Sequence, residues 1–195
     1  MIERSDAHPG VKDFIVDRWS PRSFDGSEMP MEDLEVIFEA AGWAPSAYNI
    51  QPWRFLYARR GDENWDRLLS LLIEFNQSWA KDASALVFVV SDTLNRYGEE
   101  PQANRSHSFD TGSAWAMMAL QATAMGYHTH GMIGLDIEKA EKELNIPEDH
   151  HLEAAIAIGR QAPKERLPES LQEREVPSGR KRIAETAIPG GFPKA

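Results

Sequence analysis

Cysteine is absent from the 195 residues, and that one omission removes disulfide frameworks, thiol nucleophiles and thiolate metal sites together. Long apolar runs are missing as well; nothing approaches the ~18 unbroken apolar residues that suggest a membrane-spanning helix. The opening stretch MIERSDAHPG lacks the apolar segment of a secretory signal, so the expected location is cytoplasmic, with no membrane partner. Positive charge is in deficit, 21 Lys and Arg against 31 Asp and Glu, for a net charge of −10. That balance is a poor match to nucleic acid, and an anionic partner has to find a local cationic pocket. Familiar catalytic signatures are missing too. There is no Gly-x-Gly-x-x-Gly, no phosphate loop ending in Gly-Lys-Ser/Thr and no His-Glu-x-x-His. Neither Ser46 nor Ser113 has the Gly-x-Ser-x-Gly surroundings of a hydrolase nucleophile.

What is present suits one domain with a substantial core, since 42% of the residues are hydrophobic. Val11, Phe14, Ile15 and Arg18 recur at helical spacing, with Pro21 as the stop. PMEDLEVIFEAAGWA predicts a second helix whose apolar stripe is Leu34, Ile37, Phe38 and Ala41. Strands are expected at 53–59, 85–91, 127–135 and 152–159, and helices over the leucine-rich stretch ending at Phe75, over 109–125 and over 136–145. Residues 93–108 read as a polar loop, and everything after Arg160 is rich in Pro and charge without an apolar period. Helices and strands do not alternate strictly, so the expected class is α+β, a sheet covered by helices.

Three features carry chemistry. His128 and His130 share a strand face, a geometry open to a metal but without an evident third ligand. Two cationic knots stand out in an acidic chain, RWSPRSF with Arg18 and Arg22, and APKERLP with Lys164 and Arg166. Arg binds phosphate oxygens in bidentate fashion, although such a knot taken alone is more often solvated surface charge or salt bridges to Glu and Asp. Finally, WAPSAYNIQPWRF sets Ser46, Asn49 and Gln51 between two tryptophans. These groups suit the polar rim of a flat heterocycle, or a turn whose side chains bond their own backbone.

Taken in order, RWSPRSFD, APSAYNIQPWRF, GMIGLD and IGRQAPKERLP resemble the FMN-dependent nitroreductase-like flavoproteins, over roughly residues 10–168. The resemblance implies a helix-covered, mainly antiparallel sheet in α/β/α layers, an FMN-binding domain over 1–168 and a C-terminal arm over 169–195 packed on a partner. It implies an intertwined homodimer with FMN at the subunit interface. Arg18, Trp19 and Ser20 would hold the FMN phosphate, Arg22 would lie toward the pyrimidine, and Lys164 and Arg166 would close on the phosphate from the C-terminal side. Pro45, Ser46, Asn49 and Gln51 would reach the flavin from the other subunit, while His130, Gly131, Met132, Ile133 and Gly134 run along its ring. The sequence departs from the family's pattern at Trp19, where a small basic residue or His is frequent, at HGMIG, which lacks a common Pro, and at Arg160, where an aromatic is usual.

The implied activity is reduction of nitroaromatic, quinone or related conjugated acceptors by NADH or NADPH in a ping-pong cycle. The flavin carries the chemistry, so no catalytic side chain is expected, which suits the missing signatures. The same scaffold also accommodates reductive dehalogenation, flavin fragmentation or plain FMN binding. Residues 93–108 are placed to act as a lid or as a solvent loop.

Overall fold

The computed structural model describes residues 1–192. Its centre is a four-stranded antiparallel sheet, β1 (Trp53–Arg59), β2 (Ala85–Asp92), β5 (His128–Met132) and β6 (His150–Gly159), in the order β1-β2-β6-β5. A second, two-residue ribbon pairs β3 (Leu94–Asn95) with β4 (Gln102–Ala103). The helices are α1 (Asp13–Asp17), α2 (Met31–Gly42), α3 (Trp65–Leu69), α4 (Glu74–Ala80), α5 (His107–Ala124), α6 (Ile137–Glu143), α7 (Glu169–Gln172) and α8 (Ile183–Thr186).

Every residue of β2 is buried because both faces of the sheet are covered. Ala85, Val87 and Val89 join Ile156 and Ile158 under α2 and α5, in a core that includes Leu34, Ile37, Ala114 and Met118. Leu86, Phe88 and Val90 point the other way, into a core with Leu68, Trp79, Ala140 and Leu171. Period-two alternation in one strand thus serves two cores, which is why its sequence reads as an unbroken apolar run. The result is the expected α/β/α arrangement. Among the described residues no helix is long and apolar enough to cross a membrane.

Several boundaries differ from the expectations. The first helix is only five residues and lies beside α5, with Phe14 and Ile15 left largely exposed. The leucine-rich helix is interrupted. The Ile73 amide bonds the Gly134 carbonyl, the Asp136 amide bonds Leu71, and Leu72 bridges Leu135, so main-chain pairing overrides the local apolar period. The 93–108 stretch contains the β3–β4 ribbon, closed by the Asn104 amide on the Thr93 carbonyl, and its last two residues already belong to α5. The boundary expected at residue 168 falls within packed chain, since Leu167, Leu171 and Glu175 are all buried. Beyond Arg180 the arm is exposed through Phe192, and its last three residues lie outside those described.

Candidate functional site

The segment after α1 cannot continue the helix because Pro21 lacks an amide hydrogen and restricts Ser20. Residues 18–22 therefore run out from the helix end beside edge strand β5. The Nδ1 of His130 lies 2.9 Å from the Pro21 carbonyl; the carbonyl can only accept, so this nitrogen carries the proton and donates. Trp19 meets His128 edge to face, and Arg18 donates to the Ser20 hydroxyl at 3.3 Å.

These residues line a cavity of about 350 Å³ that holds five guanidinium groups, from Arg4, Arg18, Arg22, Arg174 and Arg180. Trp19, Ser20, His130, Val176 and Ser178 complete its wall. Two acidic groups act on these arginines, Asp17 on Arg4 and Glu175 on Arg22, and Glu175 is largely taken up by main-chain amides. Its Oε1 accepts the amides of Arg22 and Ser23 at 2.7 and 2.8 Å, while Oε2 is 3.9 Å from the Arg22 guanidinium. The Nε atoms of Arg4 and Arg22 are buried without a protein partner. Burial holds the Arg18 guanidinium below its ordinary pKa, and repulsion from Arg180 and Arg4 adds to it. Arg4 is lowered by burial and then by Arg180, and Arg22 by burial and then by Arg174. Like charges gathered at this density call for an anion between them.

Arg18 and Ser20 also border a second groove, of about 460 Å³, whose other side is α5 and β5. Ala116, Ala119 and Gly131 give it a shallow floor, with Ile15, Trp115 and Leu120 as apolar walls. Gly131 keeps this floor open, since a Cβ there would lie 3.3 Å from the Trp115 ring. A charged end joined to a flat apolar trough can hold a planar molecule that carries a phosphate.

The remaining expected residues lie as follows. Met132 is buried in the core and Ile133 is 84% exposed. Gly134 packs against Asn76, whose side-chain amide donates to its carbonyl at 2.8 Å. Lys164 and Arg166 are exposed, are not among the residues lining the cationic cavity, and Arg166 instead donates to the Asp25 carbonyl at 2.9 Å. Arg160 stacks on the Tyr127 ring at 4.4 Å. The structure thus brings Arg18, Trp19, Ser20, Arg22 and His130 together, and adds Arg4, Arg174 and Arg180. Arg4 lies in the opening stretch MIERSDAHPG, and Arg174 and Arg180 in the stretch after Arg160 that shows no apolar period. The local cue there is Pro177, Ser178 and Gly179, breaker residues just before Arg180. Among the described residues, no cluster of three or more His, Asp or Glu side chains is placed to hold a metal.

Pro45, Ser46, Asn49 and Gln51 form a separate, outward-facing loop. Tyr48, Asn49 and Gln51 all have positive φ, near 50–56°, an uncommon conformation for residues with a Cβ. Hydrogen bonds hold them there. The Ser46 hydroxyl accepts the Gln51 amide at 3.1 Å, and buried Asp110 accepts the Ala47 amide at 3.1 Å. The loop is pinned from inside while Trp43, at 77% exposure, and Tyr48, at 87%, face outward.

Comparison with known proteins gives this arrangement its context. The Nitroreductase family profile matches residues 15–160. A solved structure described as an oxidoreductase containing FMN superposes with a TM-score of 0.92 at 47% identity, covering 97% of this chain and 96% of that one. The DrgA protein of Synechocystis sp. is 29% identical over 173 residues, covering 76% of this chain and 82% of its own length. A Streptomyces coelicolor protein provisionally named an NADH dehydrogenase/NAD(P)H nitroreductase is 31% identical over 157 residues, covering 70% of this chain and 76% of its own length. The match extends from α1 through the end of β6, the span that carries Arg18, the outward loop and edge strand β5. By this span and by its fold, the chain belongs to the nitroreductase family.

Proposed function

We propose that the protein is an FMN-dependent oxidoreductase, working as a homodimer, that uses NADH or NADPH to reduce nitroaromatic, quinone or related conjugated acceptors in a ping-pong cycle. The observation that carries this reading is the five-guanidinium cavity opening onto an apolar trough floored by Ala116, Ala119 and Gly131. The residues fit the group. The buried, partnerless Nε atoms of Arg4 and Arg22 are donors awaiting an acceptor, and phosphate oxygens supply it. FMN, when bound, supplies the two-electron redox chemistry that side chains cannot perform.

The protein's part is binding, orientation and electrostatics. Arg18 and Ser20, with Arg4, Arg174 and Arg180, would hold the phosphate end. Arg22 is held by Glu175, which accepts its main-chain amide and pairs with its guanidinium, and would offer a positive charge to the pyrimidine end of a bound flavin. Strand β5 is a sheet edge, so its outer main-chain groups have no neighbouring strand, and Gly131 leaves them accessible to a planar ring. Trp19 and His130 wall the same end.

Pro45, Ser46, Asn49 and Gln51 serve the partner's site, because their loop is rigid and turned away from its own cavity. Apolar groups uncovered on α1, on α5 and in this loop, among them Ile15, Phe109, Trp43 and Tyr48, provide the surface that a second copy covers. Ile183 and Phe192, 75% and 88% exposed on the arm, extend that surface.

The test is an absorbance spectrum of the purified protein, followed by anaerobic titration with each nicotinamide and turnover on a nitroaromatic and a quinone. A flavin spectrum bleached by NADH or NADPH and restored by acceptor is expected. Arg18→Ala should lose FMN affinity by roughly 1.5–3 kcal/mol, the worth of a charge-assisted contact. A protein that gains no flavin spectrum with added FMN refutes the reading, and tight FMN binding without turnover reduces it to a flavin carrier.

A further inference from the structure

We propose that the two ends of the chain form a clasp, in which Ile2 and Gly179 are positioning residues that bring Arg4 and Arg180 onto the cationic cavity, and that a phosphate monoester is what keeps the clasp shut. This rests on the FMN reading above for the identity of the natural ligand, not for the geometry.

Ile2 and Arg180 exchange both main-chain hydrogen bonds, at 2.8 and 3.0 Å, in an isolated antiparallel bridge between opposite ends of the sequence. Close approach requires glycine at 179, where a Cβ would lie 2.7 Å from the Ile2 carbonyl oxygen. Two residues further along, the Arg4 guanidinium crosses to the carbonyls of Val16 and Arg18 and ties the N-terminal segment to the end of α1. Arg180 Nη1 is steadied by the backbone just before it, on the carbonyls of Ser178 and Gly179 at 2.9 and 3.0 Å. One bridge thus delivers two of the five guanidiniums that line the cavity.

Beyond the bridge and the Arg4 contacts, little packing holds the two segments together. Beneath the bridge lies a cavity of about 210 Å³ bordered by Ile2, Val11, Ile15 and Val16, so apolar packing there is incomplete. Met1 and Glu3 are exposed, and so is every described residue after Arg180. Against two main-chain bonds stands the mutual repulsion of Arg4, Arg18 and Arg180. An anion between them turns that repulsion into attraction, so ligand binding and closure of the ends favour each other.

The experiment uses the full-length flavin-free protein. Hydrogen exchange is followed in peptides covering residues 1–5 and 176–182, with FMN, with riboflavin and with inorganic phosphate, and dissociation constants for FMN and riboflavin are measured for Gly179→Val and Arg4→Gln. FMN and phosphate should slow exchange at both ends together, while riboflavin leaves it unchanged. Each variant should weaken FMN about tenfold or more and change riboflavin by less than about twofold. Arg4→Gln keeps the test decisive if Gly179→Val fails to fold. The clasp is refuted if FMN binds with no protection at either end, or if the variants keep parental FMN affinity or lose riboflavin equally. A parent that binds no FMN defeats the flavin reading instead, and protection by phosphate, or its absence, then decides the clasp alone.

Discussion

His130 shows how one residue's environment sets a property of the protein. Burial pushes its pKa from 6.5 down to about 4, with Arg22 and Arg18 adding to the effect and the carbonyls of Pro21 and Ser20 opposing it. The folded state therefore favours the neutral ring, whose Nδ1 proton is already given to Pro21. A depressed folded value means that the stabilisation is complete above about pH 6.5, where neither state is protonated. It is lost as pH falls from 6.5 toward 4, because the unfolded chain takes up the proton first. Across that interval the loss is about 3 kcal/mol. Chemical denaturation of the flavin-free protein between pH 7 and 4 should show this slope, and His130→Gln should flatten it. An unchanged slope in the variant would assign the acid sensitivity to other groups, with His128, also lowered by burial and by Arg18, next in line.

At the level of elements, β5 and the turn after it depend on what glycine permits. A Cβ on Gly134 would lie 2.6 Å from Asn76 Nδ2 and 2.8 Å from Ile73 Cδ1. Those contacts join the end of β5 to the start of α4, where the Ile73 amide also bonds the Gly134 carbonyl. Gly134→Ala should therefore destabilise the fold by about 1–3 kcal/mol, the usual cost of overpacking, as read from urea unfolding midpoints. A midpoint within error of the parent would show that the α4 end yields freely. Strand β6 carries a different device. A register shift opposite Val89 and Val90 turns Glu153 to the α5 side, where its Oε1 accepts the hydroxyls of Ser91 and Ser108, each at 2.7 Å. Strict alternation would have sent this carboxylate to the opposite face.

For the whole molecule the open question is which surfaces are finished. The sheet is covered on both faces, yet α1, the outward loop and the arm beyond Arg180 leave large apolar groups uncovered. Scattered single residues of this kind are ordinary, but in the homodimer proposed above a second copy of the chain would cover them. Light scattering at micromolar concentration should give twice the chain mass, and Tyr48→Asp together with Trp43→Asp should shift the protein toward monomer and weaken flavin retention. A parent that remains monomeric would remove Asn49 and Gln51 from any shared site.

The amino-acid sequence alone determined most of the architecture. The strand at 53–59, the buried strand at 85 onward and the long helix ending before Gly126 depend on local periodicity and capping, which neighbouring residues carry. It also pointed to Arg18, Trp19, Ser20, Arg22 and His130, which line one cavity, because a helix end and an edge strand place them with little freedom. Only the tertiary structure decided which C-terminal cations face that cavity. Lys164 and Arg166 stand in the more conspicuous motif, yet the chain turns Arg166 onto Asp25 and brings Arg174 and Arg180 round to meet Arg4. The reason is physical. Leu167, Leu171 and Glu175 bury themselves against the body, and the Ile2–Arg180 bridge joins two segments 178 positions apart, an encounter for which no local pattern leaves a trace.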